Sequence, residues 1–179
     1  MDVSEFDFDL PSELIAQEPA AERGAARLLH VNRVSGVVVH TNISALPTLL
    51  RPGDLLVVNN TRVFPARLLG RRVPSGGTVE CLLLARLSSE IPSSQCWDAL
   101  MHPGQKLRSG ARLIFEGARM LHGEVLERRL YGRRTVRLWT DDGSPVDDAV
   151  DAVGHVPLPP YIRRPDRAAD RDRYQTTFA

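Results

Sequence analysis

A polar run that follows a short aliphatic stretch holds the densest set of candidate binding side chains in this sequence. Residues 54–58 come after a Pro-Gly turn and are rich in leucine and valine, which predicts a strand buried on both faces. Residues 59–62 (Asn-Asn-Thr-Arg) follow at once, and Arg67 lies five residues further on. A buried polar group left unpaired costs about 1–3 kcal/mol, so such groups need partners. Amides commonly hold turns and guanidinium groups commonly bind phosphate or carboxylate, although a strand, a turn and a surface arginine would explain the pattern equally well.

Two further stretches carry unusual residue patterns. Residues 155–162 (His-Val-Pro-Leu-Pro-Pro-Tyr-Ile) contain three prolines within four positions, which predicts an extended, polyproline-like backbone. A stiff linker is the simplest interpretation, but the apolar side chains of Leu158, Tyr161 and Ile162 favour packing on a surface. Residues 174–179 (Tyr-Gln-Thr-Thr-Phe-Ala) are apolar and partly β-prone, and we expect the chain to be interrupted there.

The elements that must position these stretches are mostly strands. Residues 27–31 and 36–40 predict a hairpin. From residue 61 to 141 short strands alternate with turn signals and no helix intervenes, which is typical of an antiparallel sheet closing into a small barrel. The predicted barrel strands are 62–69, 78–86, 95–101, 111–116, 119–128 and 134–140. Residues 144–150 then predict a helix with Ser144 as its N-cap and Gly154 at its end.

Composition excludes several classes of function. The net charge of the 179 residues is +1, and no apolar run approaches the roughly 18 residues of a membrane span. The acidic N-terminus has no apolar core of a signal peptide, so we expect a cytoplasmic protein without a membrane partner. Cys81 and Cys96 lack metal-ligand spacing, and the five histidines are scattered. The sequence contains no glycine-rich phosphate loop, zinc pattern or nucleophile elbow, and we expect no bound metal.

Arginine dominates the basic residues, because Lys106 is the only lysine among 23 cationic side chains. Such a bias suits phosphate binding, although a GC-rich genome produces it as well. Residues 119–137 hold six arginines against two glutamates. This segment predicts either a surface that touches an RNA backbone or an ordinary solvated hairpin.

Three motifs in series resemble one family. Residues 59–68 (Asn-Asn-Thr-Arg-Val-Phe-Pro-Ala-Arg-Leu), 154–162 and 174–176 closely resemble the S-adenosylmethionine:tRNA ribosyltransferase-isomerase family of queuosine biosynthesis. Arg27-Leu28-Leu29, His40 and residues 52–56 agree more weakly. The resemblance covers the whole chain but only about the first half of a typical member, whose later Pro-Thr-Ala-Gly-Leu-His-Phe-like segment is missing. Thr177 and Phe178 stand where the family usually has valine and tyrosine.

The resemblance implies an α+β, two-domain protein, in which a partial α/β barrel-like domain is interrupted by a six-stranded antiparallel β-barrel. Residues 1–60 would form the N-terminal part of the α/β domain, residues 61–141 the inserted barrel, and residues 142–179 a truncated return segment. The implied reaction moves the ribosyl part of S-adenosylmethionine to 7-aminomethyl-7-deazaguanine at the tRNA wobble position and isomerises it, giving epoxyqueuosine. S-adenosylmethionine is then a co-substrate and no cofactor is needed. The implied partner is a tRNA anticodon loop, and we expect the full-length protein to be a monomer.

Candidate roles follow from the resemblance and from side-chain chemistry. We expect Asn59, Thr61, Arg62 and Arg67 to line a cleft beside the barrel, with Arg62 or Arg67 holding a phosphate or the methionine carboxylate. The proline-rich stretch, including Pro159, would form a rigid wall on which Tyr161 stacks against a base. Tyr174 and Gln175 would read a base edge. No general base can be assigned. The alternatives are a small-barrel RNA-binding module without catalytic activity and a purely structural fragment.

Overall fold

The computed structural model of the chain describes residues 2–178, which fall into two compact units. The first unit contains residues 2–60, 159–165 and 178. The barrel unit contains residues 61–158 and 166–177. The α+β class predicted from the sequence is confirmed, because a closed antiparallel barrel and a separate two-stranded sheet accompany short helices.

The barrel consists of six strands that pair in the order β3-β4-β5-β8-β7-β6, and each pairing is antiparallel. The pairing of β3 with β6 closes the barrel, which removes exposed sheet edges. The strand bounds are β3 Arg67–Val73, β4 Thr78–Ile91, β5 Ser94–His102, β6 Arg112–Glu116, β7 Met120–Arg128 and β8 Arg133–Trp139. The predicted six-stranded barrel is therefore confirmed.

The first barrel strand begins later than the sequence predicted, at residue 67 instead of 62. Pro65 has no N–H to give to a strand ladder, and the backbone of Val63 pairs with a side chain instead of a strand. The strand also runs on to Val73, because residues 71–73 pair with β6, and the exposed Arg71 side chain contacts Glu116 of that strand.

Alternate residues of the barrel strands fill one core. Among them are Leu68, Cys81, Phe115, Val136 and Leu138, all fully buried. Helix α2, Val146–Val153, adds its apolar face to the same core through Val146, Ala149, Val150 and Val153. The helix ends at Gly154 as expected, but Pro145 occupies the N-cap position predicted for Ser144. Helix α3, Ala168–Arg173, also belongs to the barrel unit.

Most of residues 142–179 therefore lie with the barrel, whereas the sequence predicted their return to the N-terminal domain. The apolar face of α2 explains this difference, since it is buried among barrel residues. The predicted boundaries of the domains in the whole protein stay a prediction.

The first unit has little regular structure. Its strands β1, Arg27–Val31, and β2, Val38–Asn42, form the predicted hairpin, and helix α1, Leu46–Leu49, follows a 3₁₀ turn. The strand predicted at residues 54–58 is wrong: the segment has no strand partner among the described residues, and Leu55 is 89% exposed. A strand buried on both faces needs other elements packed against both of them, and within residues 2–178 the exposed side chains of Leu55 and Val57 show no such cover. No helix among the described residues is long and apolar enough to cross a membrane.

Candidate functional site

Two of the sequence motifs are joined by a side-chain amide, which makes the same pair of hydrogen bonds to a backbone that a neighbouring strand would make. The Val63 N–H donates to Gln175 Oε1 over 2.8 Å, and Gln175 Nε2 donates to the Val63 carbonyl over 2.6 Å. Both backbone groups of Val63 are thereby satisfied, which a buried or half-buried segment requires. Gln175 consequently fixes residues 174–176 against residues 62–65.

The third motif joins the first by a short backbone bridge. The His155 N–H donates to the Arg67 carbonyl over 2.8 Å, and the Arg67 N–H donates to the His155 carbonyl over 3.2 Å. Gly154 precedes this bridge, and a Cβ there would collide with the carbonyl oxygens of Pro65 and Val150. A glycine is required because the two backbones approach so closely.

These contacts border a groove of about 940 Å³ within the barrel unit. Its wall comes from the segment before β3, from β4 and β5, from α2, and from residues 171–175. The side chains that give it chemical character are three rings, three guanidinium groups and three carboxylates: Phe64, Trp97 and Tyr174, Arg62, Arg86 and Arg171, and Asp147, Asp151 and Asp172. The groove therefore combines aromatic rings with guanidinium and carboxylate groups.

A closed chain of polar contacts fixes one side of the groove. The Trp97 indole N–H donates to Gln95 Oε1 over 3.0 Å, and Gln95 Nε2 donates to Asp147 Oδ2 over 3.2 Å. Asp147 pairs in turn with Arg86, whose guanidinium lies 5.1 Å from the Trp97 ring centroid. Gln95 is 2% exposed and Trp97 is 6% exposed, so the hydrogen bond between these two side chains is shielded from water, whereas the side chains of Arg86 and Asp147 are 43% and 53% exposed.

Other groups that line the groove remain accessible. Phe64 is 39% exposed, and its ring lies 5.8 Å from that of Trp97 in a tilted arrangement. Tyr174 is 36% exposed. Arg62 is exposed, and no carboxylate within residues 2–178 pairs with it. A planar ring and an unpaired guanidinium beside one groove suit a ligand with a flat heterocycle and an anionic group.

Comparison with known proteins identifies the family of the chain. A family model described as "Queuosine biosynthesis protein" matches residues 3–179. The chain belongs to this family. The resemblance seen in the three motifs is thus confirmed.

Individual relatives carry one name. The S-adenosylmethionine:tRNA ribosyltransferase-isomerase of Solibacter usitatus is 46% identical, over 100% of this chain and 53% of that protein. The protein of the same name from Cytophaga hutchinsonii is 41% identical, over 100% of this chain and 51% of that protein. A crystal structure of S-adenosylmethionine tRNA ribosyltransferase from Thermotoga maritima is 36% identical, covers 83% of this chain and 47% of that chain, and gives a TM-score of 0.36. The chain spans about half the length of the curated relatives it matches.

The groove brings together three of the eight site residues predicted from the sequence. Arg62, Tyr174 and Gln175 line it. The oxygen and the nitrogen of the Gln175 side-chain amide both bind the Val63 backbone, so this side chain holds residues 174–176 in position beside Val63. Its predicted reading of a base edge stays a prediction.

Arg67 has an internal partner. Its guanidinium makes two contacts to the Glu80 carboxylate, at 2.7 and 3.0 Å, and this pairing holds the pKa of Glu80 below its usual range. A fork that already holds a carboxylate is less available to a phosphate. The predicted ligand role of Arg67 stays a prediction, and Arg62 is the more accessible of the two arginines.

The other predicted residues do not line this groove. Asn59, Pro159 and Tyr161 belong to the first unit, and Thr61 opens the barrel unit. Tyr161 has a 55% exposed ring, and its carbonyl accepts a hydrogen bond of 3.1 Å from Gln17.

A histidine next to the Arg67 bridge is oriented by a carboxylate. Asp166 Oδ1 lies 2.8 Å from His155 Nδ1, while Asp166 Oδ2 accepts the Val156 N–H over 3.0 Å. The Asp166 side chain is 14% exposed and that of His155 is 39% exposed. Because the carboxylate is fixed at both oxygens, it selects one orientation of the imidazole.

Sequence reasoning missed Arg86, Trp97 and Asp147. Trp97 lies in a strand whose apolar pattern predicts a core position, and nothing in that pattern distinguishes a groove wall from a core. Asp147 follows the helix-start pattern, which explains an acidic residue without any site. Arg86, Trp97 and Asp147 are distant from the motifs in sequence, and only the folded structure brings them into the same groove.

Proposed function

We propose that the protein to which this chain belongs transfers the ribosyl part of S-adenosylmethionine to 7-aminomethyl-7-deazaguanine at the tRNA wobble position. The transferred group isomerises to an epoxycyclopentanediol, giving epoxyqueuosine, and adenine and methionine leave. The observation that carries the proposal is the match of residues 3–179 to the queuosine biosynthesis family. The names of relatives at 46% and 41% identity support the specific reaction.

The chemistry requires little from the protein beyond a base, orientation and exclusion of water. The sulfonium of S-adenosylmethionine acidifies the neighbouring ribose carbon and is itself the leaving group. A base must remove the proton, and the two substrates must be held in a reactive geometry. Water must be kept from the reactive intermediate.

The groove offers suitable binding groups for these substrates. We infer that Arg62 binds the methionine carboxylate or an RNA phosphate, because its guanidinium is exposed and unpaired within residues 2–178. Phe64 and Tyr174 offer accessible ring faces for adenine or for the deazaguanine. The side-chain contacts that connect Trp97, Gln95, Asp147 and Arg86 hold one wall of the groove in place. Less conformational entropy is then lost when a ligand binds.

A chimera tests the proposal. This chain is fused to the second half of the Solibacter usitatus relative, at the position where the match between them ends, and the intact relative serves as the positive control. Incubation with S-adenosylmethionine and tRNA carrying 7-aminomethyl-7-deazaguanine should release adenine in proportion to the modified tRNA formed. A folded chimera that binds both substrates but releases no adenine would contradict the proposal.

The second candidate is an RNA-binding barrel without catalytic activity. The closed barrel favours it, since small closed barrels are common oligonucleotide-binding folds. The same chimera separates the two, because a binding module would retain tRNA and leave S-adenosylmethionine intact.

A further inference from the structure

The β7–β8 hairpin of the barrel unit forms a second groove of about 940 Å³. Four arginines and one glutamate line it, together with Tyr131. This region belongs to the arginine-rich segment 119–137, and the groove described above includes none of its residues. It therefore calls for a separate explanation.

The tip of the hairpin displays an aromatic ring in an unusual backbone conformation. Tyr131 has a φ of 55° and is followed by Gly132 with a φ of 80°. The turn is closed by the Arg133 N–H, which donates to the Leu130 carbonyl over 3.1 Å. Left-handed backbone is unfavourable for a bulky residue, and glycine, asparagine or aspartate normally occupies such a position. Tyr131 is 92% exposed, so packing does not explain its choice.

The arginines behind the tip differ in what they already bind. Arg134 is 1% exposed and donates to the carbonyls of Gly104, Leu107 and Arg133 at 2.6, 3.0 and 2.7 Å, and burial lowers its pKa. This buried cation ties the base of the hairpin to the β5–β6 connection. Arg133 pairs with Asp98, and this contact engages one edge of its guanidinium.

The two arginines nearest the strand end remain accessible. Arg129 pairs with Glu127 at 3.2 Å, and its side chain is 41% exposed. Arg128 is exposed and pairs with no carboxylate within residues 2–178. The hairpin therefore carries an exposed ring on a fixed base, with cationic side chains beside it.

We propose that this hairpin binds unpaired nucleotides of the tRNA substrate, with the Tyr131 ring stacked on a base and Arg128 and Arg129 on flanking phosphates. The identity of the partner rests on the proposed function. Proteins that bind single-stranded RNA combine an aromatic stacking surface with a basic track, and both are present here. A protein partner would favour a broader apolar surface than one tyrosine and the adjoining Leu130.

The test measures binding of the 179-residue chain to unmodified tRNA by fluorescence anisotropy across a range of salt concentrations. Tyr131→Ala should weaken binding about 10-fold, because loss of one stacked base has an effect of this order. Tyr131→Phe keeps the ring and should bind as the original chain does. Arg128→Ala should weaken binding and reduce the dependence on salt by about one phosphate contact. Arg112→Ala, an exposed arginine on another strand, is the matched control and should have a smaller effect on the salt dependence.

The inference would be overturned by unchanged tRNA affinity in Tyr131→Ala, or by the absence of measurable tRNA binding to the chain. Competition by a fully paired RNA duplex as strong as that by the anticodon stem-loop would also overturn it, since stacking needs unpaired bases. Failure here is distinguishable from failure of the proposed function. A chimera that releases adenine while Tyr131→Ala binds tRNA normally would refute only the hairpin contact. A chimera that binds tRNA through the hairpin but releases no adenine would refute only the reaction.

Discussion

The two units differ completely in how they bury apolar side chains. The barrel unit encloses a core of 19 buried hydrophobic residues. The first unit contains no buried residue among those that the structure describes, and several of its aliphatic side chains are strongly exposed. Leu55 and Val57, for example, are 89% and 83% exposed. Both units are rich in strand-forming residues, so composition does not separate them.

Pairing within the available chain explains the difference. Each strand of the barrel finds both of its neighbours between residues 67 and 139, so the sheet closes on itself. In the first unit, β1 and β2 pair only with each other within the part of the chain that the structure describes. An isolated two-stranded sheet is at best marginally stable in water, and exposed apolar patches of a few hundred Å² normally bind a partner. The barrel unit can therefore form a buried core from its own strands, whereas the two-stranded hairpin cannot.

The largest expected effect is in hydrogen exchange. Amides of β3 to β8 should be protected by orders of magnitude relative to those of residues 2–60, because only the barrel unit has a closed core. Mass spectrometry of peptides after deuterium exchange measures this directly. The first unit should also promote self-association, because many of its aliphatic side chains are exposed. Equal protection in both units would refute the comparison.

The same contrast explains what the sequence could and could not predict. Turn signals at even spacing indicated six barrel strands, since both the strands and their partners are local. The strand predicted at residues 54–58 was wrong, because an apolar pattern shows only that a segment could be buried. Whether other strands and helices are present to cover it depends on the rest of the fold. At the site, Arg62 was identifiable from its motif. The Gln175–Val63 pairing was not, because it joins residues 112 positions apart through a side chain.

A substitution at Gly154 should have the next largest effect. In Gly154→Ala the new methyl group meets the carbonyl oxygens of Pro65 and Val150, and the backbone must shift. Overpacking of this kind costs typically about 1–3 kcal/mol of unfolding free energy. Urea unfolding followed by tryptophan fluorescence reports it, because Trp97 and Trp139 both lie in the barrel unit.

Gly104→Ala is the matched control. Its Cβ would lie 3.6 Å from the Arg134 guanidinium, an ordinary contact, so its stability should change much less. If the two variants unfold at the same urea concentration, the close approach at Gly154 does not stabilise the barrel unit.

A smaller effect is expected from acid. Asp98 is 2% exposed, and the hydrogen bond from Arg133 lowers its pKa below the ordinary value of 3.8. A carboxylate with a lowered pKa in the folded state contributes stability above its unfolded pKa, and this is lost as the pH falls through its folded value. The barrel should therefore weaken below about pH 4.

Asp98→Asn isolates this contribution. The variant should be less stable than the original chain at pH 7, and the gap should shrink in acid, where Asp98 is protonated in both states. Glu116→Gln removes an exposed pair with Arg71 and should change stability less. A gap that stays constant from pH 7 to pH 3, in urea unfolding at each pH, would contradict the assignment.

The smallest effect on stability is expected at Arg62, and it separates binding from folding in the barrel unit. Arg62 is exposed and pairs with no carboxylate within residues 2–178, so Arg62→Lys should leave the urea midpoint unchanged. Lysine keeps the charge but cannot reproduce the planar fork that holds a carboxylate or phosphate at two points. In the chimera, affinity for S-adenosylmethionine or for tRNA should therefore fall, as measured by titration calorimetry. Arg108→Lys, at another exposed arginine of the barrel unit, should alter neither affinity. Unchanged affinity for both ligands in Arg62→Lys would reduce this arginine to a surface residue and leave the aromatic rings as the recognition groups of the groove.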